Sequence, residues 1–495
     1  MGIRRSWSWL AAAAVALTVT VLVMPTGAHA TSPAPSVRLV TGIRHIDVQR
    51  FGKRARLFLP EVVYVGATHG NFRIDADRTS GHIQLRQVRS TGHGLQTIRL
   101  IHAPGPVRMP TGLPGFLTTT LRNAAGNVVA STRTGFCPTA TYDAQRIDPH
   151  SPPTPTYPGF CGSELTHAMV WGINRGWAVP VYPNLKAAPD VAPDGTYRLT
   201  VSITPTYAHQ LHVSRADASR SITLRLTTES NGGCGDGFCP AARRAARAAQ
   251  PATAPVAVPR PSYGGSTGPV SSGLPDLAAL PARDLTIRHS GNGNDYLGFA
   301  ATIWNAGPGT FDVEGFRIGS RKTMVARQYV GRHGRLAHPT KIGSFEFDTR
   351  PGHDHWHLRD VARYDLLDLK GNRVVLSHKQ SFCLAPTDPI NLTRPGAVWN
   401  PDSIGLSSNC PTAQSLWLRE SLPAGWGDTY VQSAGGQAFN ITGVPNGRYL
   451  IRVTANPRGR VHEITRHNDS AYLAIDLGGT PGDRTATAIG PVAKP

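Results

Sequence analysis

Tyr197-Arg198-Leu199-Thr200-Val201-Ser202-Ile203 alternates polar and apolar residues, and Ser221-Ile222-Thr223-Leu224-Arg225-Leu226 repeats the pattern. Period two sends successive side chains to opposite faces, and β-branched residues favour the extended backbone, so both stretches predict half-buried strands. Outward from this pair, residues 31–228 keep the same grammar, with Gly, Pro and Asn turns and no long helical stripe. The grammar returns from Leu274 to about Leu477. Between them, residues 229–273 turn Gly-rich, then Ala/Arg, then Pro/Ala/Ser/Gly, the composition of a flexible linker. The fold predicted for these 495 residues is all-β. It has two tandem β-sandwich-like domains at 31–228 and 274–478, and a flexible tail at 479–495.

The two β regions resemble each other. Gly126-Asn127-Val128-Val129 leads to Gly135-Phe136-Cys137, and Gly371-Asn372-Arg373-Val374-Val375 leads to Ser381-Phe382-Cys383. Each then reaches a second Cys (Cys161, Cys410) and a Gly-Trp element followed by Tyr, Gly176-Trp177 with Tyr182 and Gly425-Trp426 with Tyr430. Each closes on a Pro-x-Gly turn before a strand, at Pro193-Asp194-Gly195 and Pro445-Asn446-Gly447. Ordered matches of this kind predict a duplication. The plainer reading is shared strand–turn grammar.

Residues 1–30 read as a secretory signal peptide. Arg4 and Arg5 precede an apolar run from Trp9 to Met24, Pro25 breaks it, and Ala28-His29-Ala30 predicts cleavage after Ala30. The run is short of the ~20 residues a membrane span needs, so no membrane attachment is expected after cleavage. Export favours disulfides for the six cysteines, and neighbours in sequence pair as 137–161, 234–239 and 383–410. The chain carries 51 Lys+Arg against 31 Asp+Glu, a net +20. The excess is mostly arginine and scattered, with no nucleic-acid motif beside it, so no nucleic-acid partner is expected.

Gly352-His353-Asp354-His355-Trp356-His357 carries the chemistry. Histidines at i, i+2 and i+4 of a strand share one face. Three imidazoles there suit copper or zinc, with a position left open for water or substrate. A solvated His-rich strand is the plain alternative.

From His353 through Tyr364-Asp365-Leu366-Leu367-Asp368 to His378-Lys379-Gln380-Ser381-Phe382-Cys383-Leu384, the sequence resembles the lysyl oxidase catalytic domain. Gly427-Asp428-Thr429-Tyr430 and the opening Leu274-Pro275-Asp276-Leu277 add to the resemblance, which covers residues 274–477. It implies His353, His355 and His357 as Cu(II) ligands, and Lys379 and Tyr430 as the precursors of a lysine tyrosylquinone. It also implies a secreted copper-dependent amine oxidase that converts peptidyl lysine or another primary amine, with O2, to an aldehyde, ammonia and H2O2. The quinone carbonyl would condense with the amine and a base would remove the adjacent proton; Asp428 is the candidate for that base. Arginine could not replace Lys379, because a guanidinium stays protonated. Asp365 or Asp368 would orient a ligand histidine. Asp354, Asp360, Asp365, Asp368 and Asp428 would make the site locally acidic, so that a basic protein could meet a cationic amine.

The first β region lacks the histidine motif and has Arg133 where Lys379 would map, so it reads as a non-catalytic copy. Binding a cell-wall or extracellular protein is one role open to it. Two other readings compete with the oxidase: a non-catalytic extracellular copper-binding protein, and a cell-surface β-sandwich adhesion module.

Overall fold

The computed structural model describes residues 34–51, 56–59, 62–139, 144–152, 154–186, 191–229, 273–316, 323–332, 335–336, 339–348, 355–377, 379, 381–401 and 417–495. The segment read as a signal peptide, the predicted linker with Cys234 and Cys239, and residues His353, Asp354, His378 and Cys410 lie outside them. Within these residues the regular secondary structure is almost entirely β-strand, with one short helix at Pro205–Gln210. The fold class expected from the period-two stretches is therefore correct. Tyr197, Leu199, Val201 and Ile203 are buried, as are Ile222, Leu224 and Leu226, and the two strands pair antiparallel with Tyr197 opposite Leu224. Side chains between them, such as Arg198 and Arg225, face outward, as the pleat requires.

Three sheets of the first β region have counterparts in the second, in the same order. Strands Ser36–Val40, Tyr64–Thr68, Trp177–Pro180 and Gln145–Arg146 lie side by side; so do Leu277–Ala279, Asp295–Asn305, Trp426–Tyr430 and Asp388–Pro389. Val128–Phe136, Leu113–Arg122, Gly195–Ile203, Ser219–Glu229 and His45–Phe51 match Arg373–Leu376, Ala362–Leu367, Gly447–Ala455, Ser470–Thr480 and Asp483–Val492. The last pair differs in direction: His45–Phe51 runs parallel to its neighbour and Asp483–Val492 antiparallel. Even a buried corner recurs. Tyr197 donates its hydroxyl to Pro193 O at 2.5 Å, and Tyr449 donates to Pro445 O at 2.9 Å.

The third pair of sheets shows what separates the regions. Ala168–Ile173, Phe72–Thr79, His82–Thr91 and Gly94–Ile101 form one. Trp417–Leu422, Phe311–Phe316, Thr323–Tyr329 and Thr340–Asp348 form the other, which then continues with His355–Arg359 and Ser381–Phe382. The strand bearing the histidines is thus an extension of the sheet, and the first region has no counterpart to it among the described residues. Counting from the shared Gly-Trp, Val181 and not Tyr182 stands where Tyr430 does. Val181 is buried, whereas Tyr182 is exposed. Val179 replaces Asp428, so the equivalent space in the first region is apolar.

The expected flexible tail at 479–495 is a correction. Thr480 and Asp483 pair across a two-residue Pro481-Gly482 turn, and Asp483–Val492 continues as a strand. Gly482 takes φ +84°, a conformation that costs a residue with a Cβ. Arg484 is buried and bonds to Gly478 O, Ile441 O and Val444 O. A hairpin written in Pro, Gly, Thr and Ala reads as a tail by composition, because backbone pairing to its partner strand holds it and most of its side chains stay out of the core. The described residues of the two β regions belong to one compact unit and share a continuous apolar core.

Candidate active site

The Trp426–Tyr430 strand aims Trp426, Asp428 and Tyr430 to one side and Gly427 and Thr429 to the other. Gly425 begins it at φ +86°, and a Cβ there would meet Asn391 O at 2.5 Å, so the turn demands glycine. On the opposite face, Thr429 Oγ1 bonds Thr302 Oγ1 at 2.8 Å and Gly427 leaves room for Ile390. These contacts set the register that presents Tyr430.

Lys379 and Tyr430 meet there. The lysine is fully buried, which lysine side chains almost never are. Its Nζ stands 4.5 Å from the centroid of the Tyr430 ring and 5.2 Å from that of Phe382. The Tyr430 hydroxyl accepts the Cys383 N–H at 2.8 Å and donates to Cys383 O at 2.9 Å. The phenol is thereby tied to the strand that follows the lysine. Burial, with Asp428 and Glu420 nearby, pushes the Tyr430 phenol well above its ordinary range.

His355 and His357 occupy one strand, and their Nε2 atoms converge to 2.9 Å. His357 is fully buried. Its Nδ1 lies 3.3 Å from Asp348 Oδ2 and 3.5 Å from Ser381 Oγ. A carboxylate at Nδ1 fixes the tautomer in which Nε2 carries the lone pair a metal would take. The donor set fits a copper or zinc ion: two imidazoles aimed at one point, one of them already oriented. His353, the third predicted ligand, lies outside the described residues, and no group of three ligand-type side chains comes together among those described. Replacing Asp348 by Ala is expected to weaken metal binding about 10–100-fold, since such supports set ligand orientation; competition titration against a chelator measures it.

Asp348 was invisible to sequence reasoning, which assigned this task to Asp365 or Asp368. Asp365 is buried among Arg452 at 2.7 Å, Arg363 at 3.1 Å and Arg373 at 3.8 Å. Asp368 accepts N–H groups of Lys370 and Asn372 and caps its turn. Nor do the described residues ring the site with free acids. Asp360 pairs with Arg458 and Arg460, Asp428 is buried, and Asp354 is outside the described residues.

Glu420 is the second residue the sequence did not reveal. It lies in Leu418-Arg419-Glu420-Ser421-Leu422, where a charged residue reads as solvated, yet it is fully buried. Its Oε2 accepts the Leu384 N–H at 3.0 Å. Burial raises the carboxyls of both Glu420 and Asp428 well above the carboxylate range; backbone N–H groups oppose this, joined at Asp428 by Lys379. Asp428 Oδ2 and Glu420 Oε1 have no hydrogen-bond partner among the described residues. The folded chain therefore keeps protons that the unfolded chain releases above the ordinary Glu value of 4.5. Stability present at low pH is lost as pH rises toward the folded values. Glu420→Gln, neutral at every pH, is expected to lose less stability between pH 5 and pH 8 than the parent chain. Denaturant midpoints at the two pH values measure this, and an equal loss contradicts it.

Residues 311–481 match the lysyl oxidase family model. Over 153 residues the chain is 31% identical to lysyl oxidase homolog 4 of Bos taurus, covering 30% of this chain and 18% of the relative. It is 28% identical over 153 residues to lysyl oxidase homolog 2 of Gallus gallus, covering 30% and 18%. Against lysyl oxidase homolog 3B of Danio rerio it is 27% identical over 153 residues, covering 31% and 17%. The chain thus spans under a fifth of the length of these relatives. The matched segment holds Lys379, Tyr430, Asp428, Glu420, Asp348 and the histidine strand.

Proposed function

We propose, from the lysyl oxidase-family domain at residues 311–481, that this chain is a secreted copper amine oxidase. Its reaction is RCH2NH2 + O2 + H2O → RCHO + NH3 + H2O2, with RCH2NH2 a peptidyl lysine side chain or another primary alkyl amine. In this reading residues 274–478 are the catalytic domain and 31–228 a duplicated, non-catalytic copy. No helix among the described residues is long and apolar enough to cross a membrane.

The observation that carries the reading is the buried Lys379 Nζ, 4.5 Å from the Tyr430 ring. A lysine held against a phenol out of water is positioned to add to that ring once it is oxidised, at an effective concentration free in solution could not match. His353, His355 and His357 would hold the copper, with Asp348 orienting His357. When formed, the copper and quinone pair would supply the redox chemistry and the electrophilic carbonyl. Asp428 would hold and move the proton: its carboxyl is buried beside Lys379, and burial raises it well above the ordinary carboxylate range. The Cys383 backbone would fix the phenol oxygen, and Phe382 and Trp426 would exclude water.

The test is amine-dependent H2O2 release by copper-loaded full-length protein, with phenylhydrazine titration of the quinone. H2O2 release and a phenylhydrazine adduct support the reading. Copper binding with neither leaves a copper-binding protein and removes the oxidase.

A further inference from the structure

Backbone pairing connects the first β region to the Tyr430 strand through residues 388–392. Residues 388–392 pair with Trp426–Tyr430 on one side: Asp388 faces Gly427 and Pro389 faces Trp426, and the N–H groups of Ile390 and Asn391 reach Gly425 O at 2.8 and 2.9 Å. On the other side the same segment meets Ala168–Ile173. Ile390 O accepts from His167 N at 2.6 Å and Ala168 N at 3.2 Å, and Leu392 N donates to Ala168 O at 2.8 Å. A continuous run of backbone bonds thus leads from the first region's sheet into the strand that presents Tyr430.

Side chains reinforce the seam. Thr166, fully buried, donates its hydroxyl to Pro389 O at 2.5 Å while accepting Ser163 N–H at 2.7 Å. Tyr157 stacks on Trp399 at 5.3 Å, and Phe160 meets the edge of Trp426 at 5.1 Å. The indoles in turn donate to this segment, Trp399 to Leu392 O at 3.0 Å and Trp426 to Val398 O at 2.6 Å. Backbone donors and aromatic faces used this way would be unmet if the first region were absent, and unmet buried polar groups are costly.

We propose that the first β region is a positioning element for the quinone precursor: it clamps residues 389–399 against the Tyr430 strand, with Thr166 as the central positioning residue. The proposal rests on Lys379 and Tyr430 being the precursor pair. The reason is geometric. Attack on a ring needs the nucleophile within a few tenths of an ångström of its mark, and the Lys379–Tyr430 approach depends on where the strand starts, at the Gly425 turn held by Asn391.

The test uses the full chain with Thr166→Val, which keeps shape and loses the hydroxyl, Thr166→Ser, which keeps the hydroxyl, and Trp399→Ala. Two quantities are read: amide hydrogen exchange over residues 425–430 in metal-free protein, and the rate of phenylhydrazine-reactive quinone formation after copper addition in air, with bound copper as control. Thr166→Val and Trp399→Ala are expected to raise exchange over 425–430 and to slow quinone formation severalfold with bound copper unchanged, and Thr166→Ser to behave as the parent. Exchange and quinone formation at parental levels in both variants overturn the proposal. If the parent chain forms no quinone, the oxidase reading fails by itself, and the exchange arm still decides the clamp: faster exchange supports it, unchanged exchange overturns it.

Discussion

Lys379→Met is expected to abolish the quinone and all amine-dependent H2O2 release, while bound copper stays at the parental level. Methionine fills nearly the same volume without a nitrogen, so the fully buried site keeps its packing and loses only the nucleophile. The histidine strand is joined to the lysine segment by two backbone pairs, Leu358 with Phe382 and Arg359 with Ser381, and neither involves the Lys379 side chain. Copper and cofactor should therefore separate cleanly. Lys379→Arg makes the same separation with the charge retained, because a guanidinium cannot become a neutral nucleophile. Phenylhydrazine titration beside metal analysis reads both variants. A residual adduct in either would mean that another amine or carbonyl does the work.

His357→Ala has the second large effect, and it runs in the opposite order. Removing this imidazole takes away the ligand that Asp348 and Ser381 orient, so copper is lost first and quinone and activity follow. The lost buried contacts also cost about 1–3 kcal/mol of stability. His355 is more exposed than His357, so His355→Ala should lose copper with a smaller stability cost. Metal stoichiometry and thermal unfolding of the metal-free proteins separate the two contributions. Equal stability in both variants would say that the buried position of His357 has no structural weight.

The legible parts of this protein were those written in local patterns. Alternation in 197–203 and 221–226 announced paired strands, and the spacing of His355 and His357 announced a shared face. Lys379 and Tyr430 were found only through resemblance. Their separation of 51 residues along the chain (379 to 430) is closed by strand pairing that no local pattern contains. Asp348 and Glu420 were missed for a related reason. Each is an acid in a strand whose burial comes from a neighbour distant in sequence, so its local surroundings look like a solvated face. Tyr182 was misaligned with Tyr430 because the motif has one extra residue in the first region, and the pleat puts that residue on the other side. The Asp483–Val492 strand was hidden by a turn-like composition. The seam between Ala168 and Ile390 could not be anticipated at all, since it joins segments of two different β regions far apart in sequence.

The central claim is that Lys379 and Tyr430 become one cofactor, and peptide mass analysis tests it most directly. The metal-free full chain is loaded with copper in air, digested under reducing conditions, and compared with an identical sample kept free of oxygen. The account predicts a cross-linked pair of peptides containing Lys379 and Tyr430 in the aerated sample alone. Recovery of both residues in separate, unmodified peptides from copper-bound, aerated protein would contradict it.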